Sequence, residues 1–157
     1  MIPVSQFYED VSIVKMVVED ISEVQLIEKE ENLAPWSFEG YSSEIENLDS
    51  FCLIAKFRNE IIGFAITRLI TSDKVLEIYN IAIKKKYQRK KIATKIFDEI
   101  FKECNLRDLQ EIWLDVRESN MNAIKFYNQL GFKAELTRKL FYSNPPEDGI
   151  IMKNILN

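Results

Sequence analysis

Two apolar rhythms meet at one basic loop, and this junction constrains the fold more than any other feature of the chain. The run VLEIYNIAI (75–83) is rich in β-branched and aromatic residues and reads as a strand. From Ile92 the apolar residues fall at Ile92, Ala93, Ile96, Phe97, Ile100, Phe101 and Cys104. That spacing marks one face of a helix of about three to four turns. Between strand and helix lies KKKYQRKK, with six basic residues in the eight positions 84 to 91. A strand feeding a helix in this way calls for a mixed α/β arrangement. It also gives the basic run a place, because the first amides of a helix lack internal partners and sit at the positive end of its dipole. Such a terminus suits a phosphate or pyrophosphate. A solvated charge run and a nucleic-acid patch are the competing readings.

The rest of the chain supplies a consistent frame. SIVKMVV (12–18) reads as a strand, followed by the helical DISEVQLIEKEEN, in which Ile21, Val24, Ile27 and Glu28 share a spacing. Asp20 is its expected N-cap, with Glu23 three residues on as in a capping box. A break at Pro35 precedes a second short helix. FCLIAKF (51–57) and EIIGFAITRLI (60–70) read as strands joined at Arg58-Asn59. EIWLDV (111–116) is a strand, and the helix opening on Asn120 closes on Gly131. FKAELTRKLFY and GIIMKNIL read as a closing pair of strands. With 157 residues and no linker, one domain is expected, its core spanning about 12–156.

Composition removes several function classes. The formal net charge of −4 disfavours general nucleic-acid binding while permitting a local basic site. There is no histidine, so Ser-His-Asp and Cys-His catalysis and histidine-ligated metals are excluded. Cys52 and Cys104 sit among apolar residues and read as buried thiols. No apolar run is long enough to span a membrane, and the start lacks a signal-peptide layout, so the cytoplasm is the expected location.

NIAIKKKYQRKKIATKIF resembles the acetyl-CoA site of the GNAT N-acetyltransferases. Their Gln/Arg-x-x-Gly-x-Gly/Ala pattern reads here Gln88-Arg89-Lys90-Lys91-Ile92-Ala93, with Lys91 in place of the first glycine. WLDVRESNMNAIKFYNQLGF (113–132) resembles the next strand-helix unit of that family, whose Asn-x-x-Ala-x-x-Phe/Tyr-Tyr-x-x-x-Gly-Phe signature is nearly complete. APWS, EIYNIAI, RKLFY and EDGIIM are similar, in order, to the branch that acetylates the N-terminal alanine of ribosomal proteins.

The resemblance implies a GNAT fold. This is a mixed, mostly antiparallel sheet of about seven strands with about four flanking helices, in which a splayed strand pair holds acetyl-CoA. It implies that the backbone of Ile81, Ala82 and Ile83 receives the pantetheine arm. The amides of residues 89–94 would receive the pyrophosphate, a segment that includes Ile92, Ala93 and Thr94. Gln88 and Lys91 belong to the same cofactor-binding set, with Arg89 and Lys90 as charged helpers. Lysine at position 91 would cost about 1 kcal/mol if the backbone there is left-handed. Asn120 lies near the cofactor arm or simply caps its helix. Tyr127 is the expected general acid toward the leaving thiolate; of Phe126 and Tyr127, only one can face inward.

Asp115 occupies the position of the branch's glutamate base, one methylene shorter, and a bridging water is its expected reach to the amine. Its alternative is a structural partner of Arg117 or a helix cap. Glu77 is a reserve base or a substrate contact. Trp36 and Tyr142 resemble peptide-site aromatics, with core packing as the competing reading for Trp36, while Phe141 is expected in the core. The activity so implied is direct acetyl transfer to a protein N-terminal α-amine, with a small-subunit ribosomal protein as partner. Such an amine has a pKa of about 7.7–8.0, against about 10.4 for lysine, so a modest base suffices. Competing readings are acetylation of a small amine, polyamine or lysine side chain, and a CoA-binding protein without catalysis.

Overall fold

Cys52 and Ile54 are buried on one side of their strand and Leu53 and Ala55 on the other, so this segment must be covered on both faces. A computed structural model, which describes residues 1–157, shows how. The elements run α1 (Val4–Asp10), β1 (Val11–Lys15), α2 (Ile21–Glu30), α3 (Phe38–Glu46), β2 (Ser50–Phe57), β3 (Glu60–Ile70) and β4 (Val75–Ile83). They continue with α4 (Ile92–Leu106), β5 (Glu111–Arg117), α5 (Met121–Gln129), β6 (Lys133–Ser143) and β7 (Pro146–Ile155). The strands form one sheet in the order β1-β2-β3-β4-β5-β7-β6. Every neighbouring pair is antiparallel except β4 and β5. No helix is long and apolar enough to cross a membrane.

One face of the sheet packs on α4 and α5. Ile92, Ile96, Phe97, Ile100 and Cys104 of α4 are at most 1% exposed, as their spacing requires. Burying each large apolar side chain contributes about 1.5–3 kcal/mol. Phe97 meets the rings of Phe101, Phe126, Tyr127 and Phe132 at centroid distances of 5.9–6.0 Å. It therefore fixes α5, and Tyr127 with it, against α4. The other face packs on Ile21, Val24 and Ile27 of α2 and Tyr41 of α3.

Two local expectations are corrected and one element is added. Residues 4–10 form α1, a fifth helix beside the four read from the sequence. That helix buries only Phe7 and is held from outside: the Lys95 ammonium donates to the carbonyls of Tyr8 and Val11 at 2.6 and 2.5 Å. The first strand ends at Lys15, and a 3₁₀ turn at Val18–Asp20 follows. Asp20 does not cap α2 with its side chain; its carboxylate turns back to accept from Val17 N at 2.9 Å.

The parallel pair is what builds the site. β4 and β5 are in register only from Val75 with Glu111 to Ile78 with Leu114, and then they part. On the β3 side, Thr67 pairs with Ile78 and Ile66 with Asn80, which leaves Tyr79 as the extra residue of a bulge. A bulge bends its strand and strengthens the local twist, and here it carries the end of β4 away from β5. Gly63 lets β3 follow, since a Cβ there would lie 2.5 Å from Ile83 Cδ1 and 3.0 Å from Ala82 O.

Candidate active site

The basic loop ends in a concave run of free amides. Arg89 and Lys91 both have positive φ, 60° and 65°, and Lys91 is left-handed just before α4 begins. None of the N–H groups of residues 89–94 donates to the protein; Lys95 N, bonded to Lys91 O at 3.1 Å, is the first of α4 to do so. A turn with left-handed residues that leads into a helix start is an anion nest. The strain at each non-glycine left-handed residue is about 1 kcal/mol.

The basic side chains divide by role. Lys84 and Lys86 lie 3.0 and 3.7 Å from Glu60 Oε1, and Tyr87 donates to the same carboxylate at 2.7 Å. The Lys90 ammonium lies 5.3 Å from the Phe7 ring centroid. The Gln88 amide donates to Ile83 O at 2.9 Å and Glu31 Oε1 at 2.8 Å, tying the loop to β4 and to the residue that follows α2. Lys85, Arg89, Lys90 and Lys91 are exposed and make no ion pair; of these, Arg89 and Lys91 are the two with positive φ in the turn that forms the nest. Ile92 is buried and offers only its amide, while Ala93 and Thr94 are half-buried.

The gap between β4 and β5 opens a cleft of about 350 Å³, lined among others by Ile81, Asp115, Asn120, Tyr127, Trp36 and Tyr142. Lys84 N donates to Ile62 O, so the alternation of the antiparallel ladder turns Ala82's backbone toward β3 and that of Ile81 and Ile83 toward the gap. Ile83 O is already bonded to Gln88. Ile81 therefore presents both its N–H and C=O to the cleft. Asn120 caps α5, its side chain accepting from Ala123 N at 3.2 Å.

Tyr127, rather than Phe126, is the inward residue of its pair. Burial, and then the charge of Tyr142, raises its phenol well above the ordinary value. Asp115 Oδ1 is buried without a hydrogen-bond partner. Burial raises this carboxyl, the Arg138 cation lowers it, and Glu77 raises it again. Its ionic neighbour is Arg138, with Nε 3.8 Å from Oδ1, and not Arg117, which pairs with Glu147 at 3.2 Å. The cleft thus holds a protonated phenol and a carboxylate with an unused oxygen.

An adjoining cavity of about 490 Å³ shares Ile78, Tyr79, Asp115 and Tyr142 and opens between residues 32–35 and 141–144. Burial pushes the Tyr142 phenol up to about 12. The Trp36 ring packs 5.3 Å from Tyr41 and 6.3 Å from Tyr79. Glu77 does not line the cleft; it sits in register between Arg68 and Trp113 and acts on Asp115 through its charge. Phe141 is outside the core, 44% exposed, under the Arg138 guanidinium at 5.2 Å. Arg138 pairs with Gly149 and Tyr142 with Glu147, so the three residues between them bulge opposite Asp148 alone and turn Phe141 outward.

Residues 21–132 match the model of the acetyltransferase (GNAT) family. The chain belongs to the GNAT family. It is 31% identical over 136 residues to the [ribosomal protein bS18]-alanine N-acetyltransferase of Escherichia coli, covering 85% of this chain and 89% of that one. The crystal structure of the ribosomal-protein-S18-alanine N-acetyltransferase from Escherichia coli superposes with a TM-score of 0.84 at 26% identity, over 94% of each chain. Arabidopsis thaliana Naa50, solved with the bisubstrate analogue CoA-Ac-MVNAL, shares the fold at a TM-score of 0.82 and 21% identity, over 92% of this chain and 98% of that one. This GNAT chain is an acetyl-CoA-dependent N-acetyltransferase. The free amides and unpaired cations at the start of α4 fit the diphosphate of that donor.

Sequence reasoning missed Arg138, Asn80, Gln25 and Glu28, each of which lines the cleft or supports its walls. Only Glu28 carried a signal, as a carboxylate on the apolar face of α2.

Proposed function

We propose that the chain acetylates the N-terminal α-amine of a protein, an alanine-starting small-subunit ribosomal protein, by direct transfer in a ternary complex. Such an acceptor puts the reaction in the cytoplasm. The observation that carries the reading is the pairing, in one cleft, of Asp115 with a buried unpartnered oxygen and Tyr127 with a raised phenol. The name of the 31% identical relative supports the acceptor class.

When bound, acetyl-CoA supplies an acetyl thioester. The amides of residues 89–94, with Arg89 and Lys91, hold its diphosphate, and the backbone of Ile81 holds its arm beside Asn120. Asp115 takes a proton from the α-ammonium at Oδ1, directly or through one water, and so frees the nitrogen lone pair to attack the thioester carbon. Desolvation makes this carboxylate a better base than an exposed aspartate. Tyr127 gives its Oη proton to the sulfur as the carbon–sulfur bond breaks, and its raised pKa keeps that proton in place at neutral pH until then. The nitrogen sheds two protons, one to Asp115 before attack and one as the adduct collapses, while the departing thiolate gains one from Tyr127. The second nitrogen proton restores Tyr127 through water, and Asp115 releases its proton to solvent, so one proton is released overall. Trp36 and Tyr142 wall the acceptor opening.

Mass spectrometry of an alanine-starting peptide after incubation with acetyl-CoA tests the reading. The expected product carries one acetyl group on the α-nitrogen. Acetylation of a polyamine or a lysine side chain, with the α-amine untouched, would replace it.

A further inference from the structure

Trp36 sits in a stretch with no regular secondary structure, residues 33–37, yet both of its backbone polar groups are held by side chains of α2. Gln25 Nε2 donates to Trp36 O at 3.1 Å, and Trp36 N donates to Glu28 Oε1 at 3.1 Å. The two side chains are three residues apart and so share one face of the helix. The second carboxylate oxygen of Glu28 accepts from the Tyr41 hydroxyl, and Leu33 N donates to the Glu28 carbonyl at 3.0 Å. Glu28 is only 3% exposed. A carboxylate buried to that degree is costly unless its oxygens are engaged, and here both are, by the loop and by the residue that supports the Trp36 ring. From that ring the contacts run to Tyr79, the bulge residue of β4, which lies 5.4 Å beneath the Arg68 guanidinium.

We propose that Glu28 is a positioning residue: it seats Trp36 and thereby sets affinity for the acceptor, while acetyl-CoA binding on the far side of the cleft is left alone. The proposal rests on the reading that Trp36 walls the acceptor opening. Glu28 is not a base, because its two oxygens are already occupied by donors. Gln25 secures the other half of the same peptide segment.

Steady-state kinetics with acetyl-CoA and an alanine-starting peptide tests this in wild type, Glu28→Leu, Glu28→Gln and Gln25→Ala. Glu28→Leu keeps the volume and loses both acceptors; the peptide KM should rise about tenfold while the acetyl-CoA KM stays within about twofold. Glu28→Gln should stay within about twofold of wild type, because an amide can accept from Trp36 N and donate to the Tyr41 oxygen. Gln25→Ala should raise the peptide KM about threefold. An unchanged peptide KM, equal rises for both substrates, or a Gln variant as impaired as the Leu variant would overturn the proposal.

A second measurement separates the clamp from the choice of acceptor. In a Trp113→Phe background, acrylamide quenching reports Trp36 alone. Quenching should increase in Glu28→Leu and in Gln25→Ala, and quenching unchanged in both refutes the clamp even if no peptide is turned over. Absence of peptide acetylation by wild type, with quenching increased, refutes the N-terminal acceptor and leaves the clamp standing. Should Glu28→Leu not fold, Gln25→Ala carries both arms.

Discussion

The Arg117 guanidinium lies 4.3 Å from the Tyr142 ring centroid while its two terminal nitrogens donate to the carbonyls of Pro145 and Asn144 at 3.0 and 3.1 Å. One side chain thus holds the β6–β7 turn together with the aromatic proposed to wall the acceptor opening. Lysine keeps the charge but not the planar fork or the stacking. Arg117→Lys is expected to raise the acceptor KM about fivefold and to lower stability by about 1–2 kcal/mol. Kinetics with both substrates, together with a urea melt, checks this.

Tyr127→Phe removes a hydroxyl that makes no hydrogen bond within the protein and leaves the ring against Phe97. Stability should change by less than about 0.5 kcal/mol. The value of kcat should fall about 10²–10³-fold if the phenol is the acid, with acetyl-CoA affinity by calorimetry nearly unchanged. An unaltered kcat removes Tyr127 from the reaction.

The pH profile distinguishes Asp115 from its surroundings. Its carboxyl is raised by burial and held back by Arg138. A base acts when ionised, so activity should fall as pH drops through its pKa. Arg138→Gln removes the opposing cation, the pKa rises further, and the acid limb of kcat should move to higher pH. The acceptor amine contributes equally in both enzymes, so the difference between the two profiles reports Asp115. A limb that stays in place, or moves to lower pH, rejects the assignment.

Lys91 combines a left-handed backbone with an unpaired cation. Lys91→Gly relieves the strain and Lys91→Ala retains it, so the glycine variant should be more stable than the alanine variant by about 0.5–1 kcal/mol in urea. Both should bind acetyl-CoA with a weaker salt dependence than wild type, which calorimetry at two ionic strengths measures.

What the sequence made legible follows from which interactions are local. The face of α4 could be read from spacing alone because one helix carries the whole pattern. The nest was legible as a place, a basic turn before a helix, but the roles of Asp115 and Tyr127 came from resemblance, since nothing in their spacing assigns chemistry. Helix α1 was missed because its order depends on Lys95, far along the chain. The Tyr79 bulge was invisible, since one extra residue hides inside an apolar run. The partner of Asp115 was misassigned because Arg138 reaches it across the sheet, with β7 lying between their strands.

The bulge at Tyr79 makes this enzyme's reactive gap a matter of residue count. Were Tyr79 deleted, Ile78 and Asn80 would become neighbours, and Asn80 to Ile83 could keep their partners on β3 and their faces. The bend that the extra residue introduces would be lost, and the strand would be free to run on beside β5. The mended sheet would gain main-chain bonds and lose this opening, so a variant selected for heat resistance at this point would be drawn toward an inert protein.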